Sequence, residues 1–234
     1  MGMGMLMTRV GAELASSKIN VGEIAEMMER TMEALYGASE IPMTTFKCPS
    51  GGGRTFKCSD KTVEKKEIEG VIIAAHYTNV YWSSPAGEGS KTPDCVSRDG
   101  ISGWYVENGE QMERVCRTCP HNRMGSGAKG RGKACKNRAR LLMLVEGEVL
   151  PVEIAVPTMS ATAYSRYVMR DLVPRALKPW QVSTKVTLTD ATNSKGTEYS
   201  QMVFECTGRV NDADIEALRD RVAPLLLTGG QADE

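Results

Sequence analysis

Cys116 and Cys119 stand two residues apart, and Cys135 follows across a glycine-rich stretch with no hydrophobic period. This pattern constrains the fold more than any other feature of the chain. A segment without period has no amphipathic face to bury, so something other than a hydrophobic core must hold it. The C-x-x-C pair, Cys135 at knuckle-compatible distance and Cys95 upstream supply four thiolates, the donor set of a closed tetrahedral zinc site. Metal–ligand bonds then replace the missing core, and the zinc is structural. His121 is a further donor, but it lies two residues from Cys119 and would strain the loop, so Cys95 is the better ligand. The plain alternative is a set of buried free cysteines. The seven cysteines are an odd number, and three cluster at metal-type spacing, which suits a reducing cytoplasm better than a disulfide framework.

The same segment concentrates charge. Lys plus Arg and Asp plus Glu are balanced at 29 each, so the whole-chain charge names no partner. Between Arg114 and Arg140, however, stand Arg117, Arg123, Lys129, Arg131, Lys133, Lys136 and Arg138, with no acidic residue among them. A local positive field within a neutral chain points to an anionic partner. Glycine lets a backbone approach phosphates and Lys or Arg supplies the charge, so a metal-pinned basic loop suits a nucleic-acid backbone. A merely solvated basic loop is the bland alternative.

Enzymatic readings of these residues fail on chemistry. Gly127 to Lys133 matches G-x-x-x-x-G-K, but Ala134 lacks the hydroxyl that binds magnesium in a P-loop. The preceding Cys-Pro-His-Asn-Arg is also a poor buried strand. A zinc deaminase needs His-x-Glu or Cys-x-Glu, and the sequence has neither. A His–Asn nuclease built on Cys-Pro-His-Asn lacks further ligands nearby. A non-enzymatic protein is expected.

Along the chain, Gly22–Tyr36 has the spacing of an amphipathic helix, with Ile24, Met27, Met28, Met32 and Leu35 on one face. Thr-Phe-Lys-Cys occurs twice around a glycine-rich turn, which predicts a hairpin carrying Cys48 and Cys58. Glu69–Trp82 is rich in β-branched and aromatic residues and predicts a long strand. Residues 95–135 read as irregular. Arg140–Val145 and Val149–Val156 predict a strand pair across Glu146-Gly147-Glu148. Thr158 or Ser160 caps a helix to about Leu172, with Ala163, Tyr167, Val168 and Leu172 inward. Residues 182–191 and 197–210 alternate as a second strand pair, and Asn211 or Asp212 caps a last helix. Strands arranged in hairpins disfavour a doubly wound sheet. The expected fold is mainly β (α+β): an OB-like antiparallel β-barrel with an inserted four-cysteine zinc loop and flanking helices. In domain terms, residues 1–40 form a helical extension and 41–228 a single domain with the insertion at about 93–139. Residues 229–234 are read as a disordered tail.

No apolar run approaches the ~20 residues of a bilayer span. The N-terminus lacks the charge and apolar pattern of a secretory signal, so a cytoplasmic protein is expected. Single-strand binders add aromatic platforms to a basic groove, each stacked base contributing roughly 1–3 kcal/mol. Trp82, Trp104 and Tyr105 are the candidates, with Tyr77 and Tyr81 also on the long strand and Phe46 and Phe56 weaker. No recognition helix for duplex DNA is evident.

Several runs carry a family resemblance: Pro93-Asp94-Cys95-x-Ser97-x-Asp99-Gly100, Cys116-x-x-Cys119-Pro120-x-Asn122-x-x-Gly125-Ser126, and Gly132-Lys133-Ala134-Cys135-Lys136-Asn137 with Arg140-Leu141. Together with Glu146-Gly147-Glu148 and Leu150-Pro151, they resemble bacteriophage-encoded zinc-containing single-stranded DNA-binding proteins. The likeness covers the middle of the chain through the Tyr164–Leu172 helix. It implies an oligonucleotide-binding barrel, Cys95, Cys116, Cys119 and Cys135 as zinc ligands, a role in phage replication or recombination within the host cytoplasm, and partners from those processes. The chain departs from many replication binders in its short Gln231–Glu234 end, which puts partner recruitment through an acidic tail in doubt. Single-stranded DNA is thus the expected partner, with RNA and homo-oligomerisation left open. The rival from another class is a zinc-stabilised protein-interaction module, a transcription or host-defence modulator.

Overall fold

The computed structural model describes residues 43–49, 51–59, 63–83, 92–107, 110–146, 148, 150–193, 196–210, 215–217, 219 and 220, with Glu26 and Arg30. The expected N-terminal helix, the tail and most of the last helix lie outside the described residues. The chain is mainly β. Its strands are β1 (Thr45–Lys47), β2 (Phe56–Cys58), β3 (Glu64–Lys65), β4 (Glu67–Tyr81), β5 (Cys95–Ser97), β6 (Ser102–Glu107), β7 (Glu110–Val115), β8 (Lys136–Val145), β9 (Val152–Val156), β10 (Val182–Thr192) and β11 (Glu198–Arg209). Helix α1 (Thr158–Tyr167) continues as a π-helical turn over Val168–Leu172. The described residues fall into two compact units, one within His76–Arg140 and one drawn from Met1–Ala75 and Leu141–Gly230.

In the second of these units the neighbour order runs β3-β2-β1-β9-β8-β4, with β10 paired to β4 and β11 paired to β10. The sheet is mixed, because β1 runs parallel to β9 while its other described pairs are antiparallel. Among the described residues it stays open, where the sequence suggests a barrel. β8 buries Leu141 to Val145 without a break, the mark of a strand covered on both faces. Ile68, Val71, Ile72 and Ile73 of β4, Ile154 of β9, Val186 of β10 and Met202 of β11 complete the core. The β10–β11 hairpin pairs from Val182↔Arg209 to Thr192↔Glu198, as the alternation predicts.

Three local expectations are corrected. Neither Thr158 nor Ser160 caps α1; Pro157 occupies that position without a side-chain bond. Ser160 is buried instead, and its hydroxyl accepts the Met202 N–H of β11 at 2.9 Å. Tyr164 and Tyr167 pack their rings on Phe204, so α1 covers the free side of β11 and satisfies one of its donors. The inward residues are therefore Ser160, Tyr164, Tyr167 and Leu172, whereas Ala163 and Val168 are only half-buried. Phe46 and Phe56 of the β1–β2 hairpin are fully buried, which removes them as base-stacking surfaces.

Gly70 of β4 shows how closely the strands approach. A Cβ there would lie 1.9 Å from the Leu144 carbonyl oxygen of β8. Gly208, by contrast, has open space. Gly70→Ala is expected to cost about 3 kcal/mol or more by overpacking, with Gly208→Ala within about 0.5 kcal/mol of wild type, in urea unfolding.

Candidate metal centre and basic surface

Within His76–Arg140 the strands form a meander in the order β4-β5-β6-β7. The sequence reading treats this segment as irregular; its strands are short and polar, and pairing rather than hydrophobic period defines them. Across the meander, Tyr81 of β4 opposes Cys95, Cys95 opposes Tyr105, and Tyr105 opposes Met112. The next row is Val80, Val96, Trp104 and Glu113. Side chains on neighbouring rows point to opposite faces. Trp104 and Tyr105, adjacent in sequence, therefore cannot form one stacking surface.

The Tyr105 face carries the cysteines. Cys95, Cys116, Cys119 and Cys135 line one small cavity with Asn79, Tyr81, Tyr105, Arg114, His121 and Asn122. Its volume is about 10 Å³, the space of a single water-sized sphere. All seven cysteines are free thiols. Among the described residues no three His, Cys, Asp or Glu side chains are drawn together as a ligand set. The four cysteines nonetheless line one atom-sized space, and Cys116 and Cys119 each act electrostatically on both Cys95 and Cys135. Soft thiolates in this number fit a structural zinc ion.

Backbone bonds place these sulfurs. The Cys116 N–H donates to Ile101 O at 2.7 Å, and the Cys135 N–H donates to His121 O at 2.9 Å. Asn122 donates its amide to Cys116 O at 2.9 Å. Behind them lies a polar network: Asn137 donates to Asn79 and to Asn122, and the Lys133 ammonium donates to Asn122 at 3.1 Å and Asn137 at 2.9 Å. Gly103 is required beside Cys95, because a Cβ there would sit 2.9 Å from its sulfur. Asp99 closes the β5–β6 turn. Burial alone would raise its pKa, but the N–H groups of Ile101 and Ser102 and the Ser97 hydroxyl outweigh that and hold it low.

His121, set aside as a ligand by sequence reasoning, stacks on Tyr81 at 4.1 Å between ring centres, while Arg114 lies over Tyr105 at 4.1 Å. This stack lines the thiol cavity, and the spacing of single aromatic residues gave no signal for it. Tyr105 is thereby occupied as a base platform. Trp82 is half-buried at the end of β4 and Trp104 is 54% exposed.

The basic residues divide. Arg117, Arg123, Lys129, Arg131, Lys136 and Arg138 are exposed. Lys133 is half-buried and engaged by the asparagines, and Arg140 is half-buried near His76, whose pKa is lowered by burial first and by the Arg140 charge second. Lys136, Arg138 and Arg140 lie on β8, which begins at Lys136, four residues before the strand that the sequence suggests. The loop itself is internally bonded: Gly125 and Gly127 N–H groups donate to Gly132 O, and Ser126 Oγ accepts the Ala134 N–H. These amides and the Lys133 ammonium are spent within the loop, so it lacks the open amide cradle of a P-loop.

No protein-family model, no curated protein and no solved structure matches this chain.

Burial, reinforced by the neighbouring sulfurs, pushes the Cys95 thiol up to about 11 and the Cys135 thiol up to about 12. Both are protonated near neutral pH, so a metal must displace their protons. Zinc added to metal-free protein is expected to release protons and raise Tm, with affinity climbing as pH rises. Isothermal titration in buffers of different ionisation enthalpy measures this; uptake without proton release would contradict the thiol site. In metal-free protein these raised thiols favour the fold below their ordinary value of 9.0, and that contribution is lost as pH rises through about 11 to 12.

Proposed function

We propose that this chain is a non-enzymatic single-stranded DNA-binding protein, with one structural zinc held by Cys95, Cys116, Cys119 and Cys135. The observation that carries the reading is the exposed set Arg117, Arg123, Lys129, Arg131, Lys136 and Arg138 on a segment without a carboxylate, over a backbone fixed by its own hydrogen bonds. Fixed cations lose little entropy on meeting phosphates, and counterion release drives the association.

Strand order supports an oligonucleotide-binding fold. Taking β4, β8, β9, β10 and β11 as first to fifth, they stand third–second–first–fourth–fifth, with α1 between third and fourth. This is the order of a five-stranded Greek-key barrel left open between its third and fifth strands. Such folds contact oligonucleotides through the connection between their first and second strands. Here that connection contains all four cysteines and the basic loop. The zinc, when bound, would supply cross-links; this chain's own residues position the cations. Trp82 and Trp104 remain available for stacking. The resemblance to phage zinc-containing binders fits a role in replication or recombination, and RNA is a competitor to include in the binding assay.

A protein-interaction module is the second reading, favoured by the exposed Trp104, Val106 and Val115. Fluorescence anisotropy separates the two. A labelled oligo-dT is expected to bind more tightly than duplex, with affinity falling steeply in salt. Arg138→Ala should shallow the log–log salt slope by about 0.7, the share of one phosphate contact on a single strand. Lys133→Met should lower Tm instead, because it strips the ammonium from the asparagine network. Salt-insensitive affinity, or equal affinity for duplex, would remove the proposal.

A further inference from the structure

Lys133 stands two residues before Cys135 and is half-buried; its ammonium donates to the side-chain oxygens of Asn122 at 3.1 Å and Asn137 at 2.9 Å. Building on the zinc reading above, we propose that this ammonium is the fixed counter-charge of the metal–thiolate cluster, raising the affinity of the four cysteines for a divalent cation.

The cluster needs such a charge. Each thiol gives up its proton on binding a metal, and four thiolates around a divalent ion leave a net double negative charge. A dianion in a partly buried site is unfavourable unless a cation stands near it. Cations in open water help little, because solvent and salt screen them, whereas a half-buried cation is screened much less. Lys136, one residue beyond Cys135, is exposed; Lys133 is not.

The side chains around Lys133 place its charge at the cluster. Asn122, one acceptor of the ammonium, lines the thiol cavity and donates its own amide to Cys116 O. Asn137, the other acceptor, lies at the start of β8 and donates to Asn79, which also lines the cavity. Two amides thus tie the ammonium to the cavity wall. From there the Lys133 charge acts on Cys135, opposite in sense to the three neighbouring sulfurs. Arg114, held over Tyr105, acts on Cys95 in the same sense.

The residue type of the acceptors matters. An aspartate at 122 or 137 would hold a lysine at least as firmly, but it would cancel the charge. Asparagine oxygens are neutral, so they orient the ammonium and leave its field to act on the sulfurs. Capture of Lys133 for structure alone would not require that distinction, and this separates the two roles by experiment.

Reduced, chelator-stripped full-length protein titrated with cobalt(II) gives the readout. Thiolate-to-cobalt charge transfer reports sulfur coordination, the d–d bands report tetrahedral geometry, and displacement by zinc ranks the zinc affinities. Lys133→Gln keeps an amide donor beside the asparagines and removes the charge; it is expected to weaken both metals about 10–100-fold with band positions unchanged. Lys133→Arg keeps the charge and should restore most of the loss. Far-UV circular dichroism checks that the strands persist. Should Lys133→Gln lose them, Asn137→Asp, which retains Lys133 and sets a carboxylate against it, is expected to weaken metal binding in the same way. Wild-type affinity in the charge-cancelling variant, or equal weakening by Lys133→Gln and Lys133→Arg, would overturn the assignment while leaving the metal site standing. Absence of the cobalt bands from the wild type would remove the zinc reading, and the role of Lys133 with it.

Discussion

The unit within His76–Arg140 has very little apolar interior, and its structure depends on what takes that interior's place. Its buried apolar side chains, among the described residues, are Val80, Cys116, Cys135 and Ala139. Two of these four are thiols at the cavity. A meander with so small a core needs cross-linking. The asparagine–lysine network and the Tyr81–His121 stack lie beside the small cavity that the four cysteines line. The network and the stack tie His121, Asn122, Lys133 and Asn137 to β4 and to one another beside the basic segment.

That arrangement carries the charge on an ordered backbone rather than on a loose loop. Residues 123–135 fold back on themselves through Gly125, Gly127 and Ser126, and the chain enters β8 at Lys136. The lysine that a P-loop reading would assign to phosphates is spent on structure, while its neighbours remain outward. A single basic run thus divides into an inward cation that supports the fold and outward cations free to meet an anion.

Much of the larger β unit was legible because its strands bury one or both faces. Apolar runs and alternation predict β4, β8, β9, β10 and β11 to within a few residues. The meander was not legible. Glu110–Val115 reads Glu-Gln-Met-Glu-Arg-Val, with no alternation toward a core, and only its pairing with β6 makes it a strand. Of the stacking candidates, Trp104 and Tyr105 are sent to opposite faces by strand geometry, which the sequence pattern did not indicate. The four cysteines were legible as a set from spacing; the stacking of His121 and the capture of Lys133 were not, since both depend on contacts across 40 or 11 residues of chain. Phe46 and Phe56 were misjudged because a short polar hairpin gives no hint of what its buried face packs against.

The central claim is that a cysteine-fixed basic surface meets a single-stranded phosphate backbone. Lysine acylation footprinting with and without oligo-dT tests it most directly, read by mass spectrometry residue by residue. The account predicts that Lys129 and Lys136 lose reactivity on binding, while Lys66, exposed on the other unit, keeps its own. Bound oligonucleotide that leaves Lys129 and Lys136 as reactive as Lys66 would contradict it.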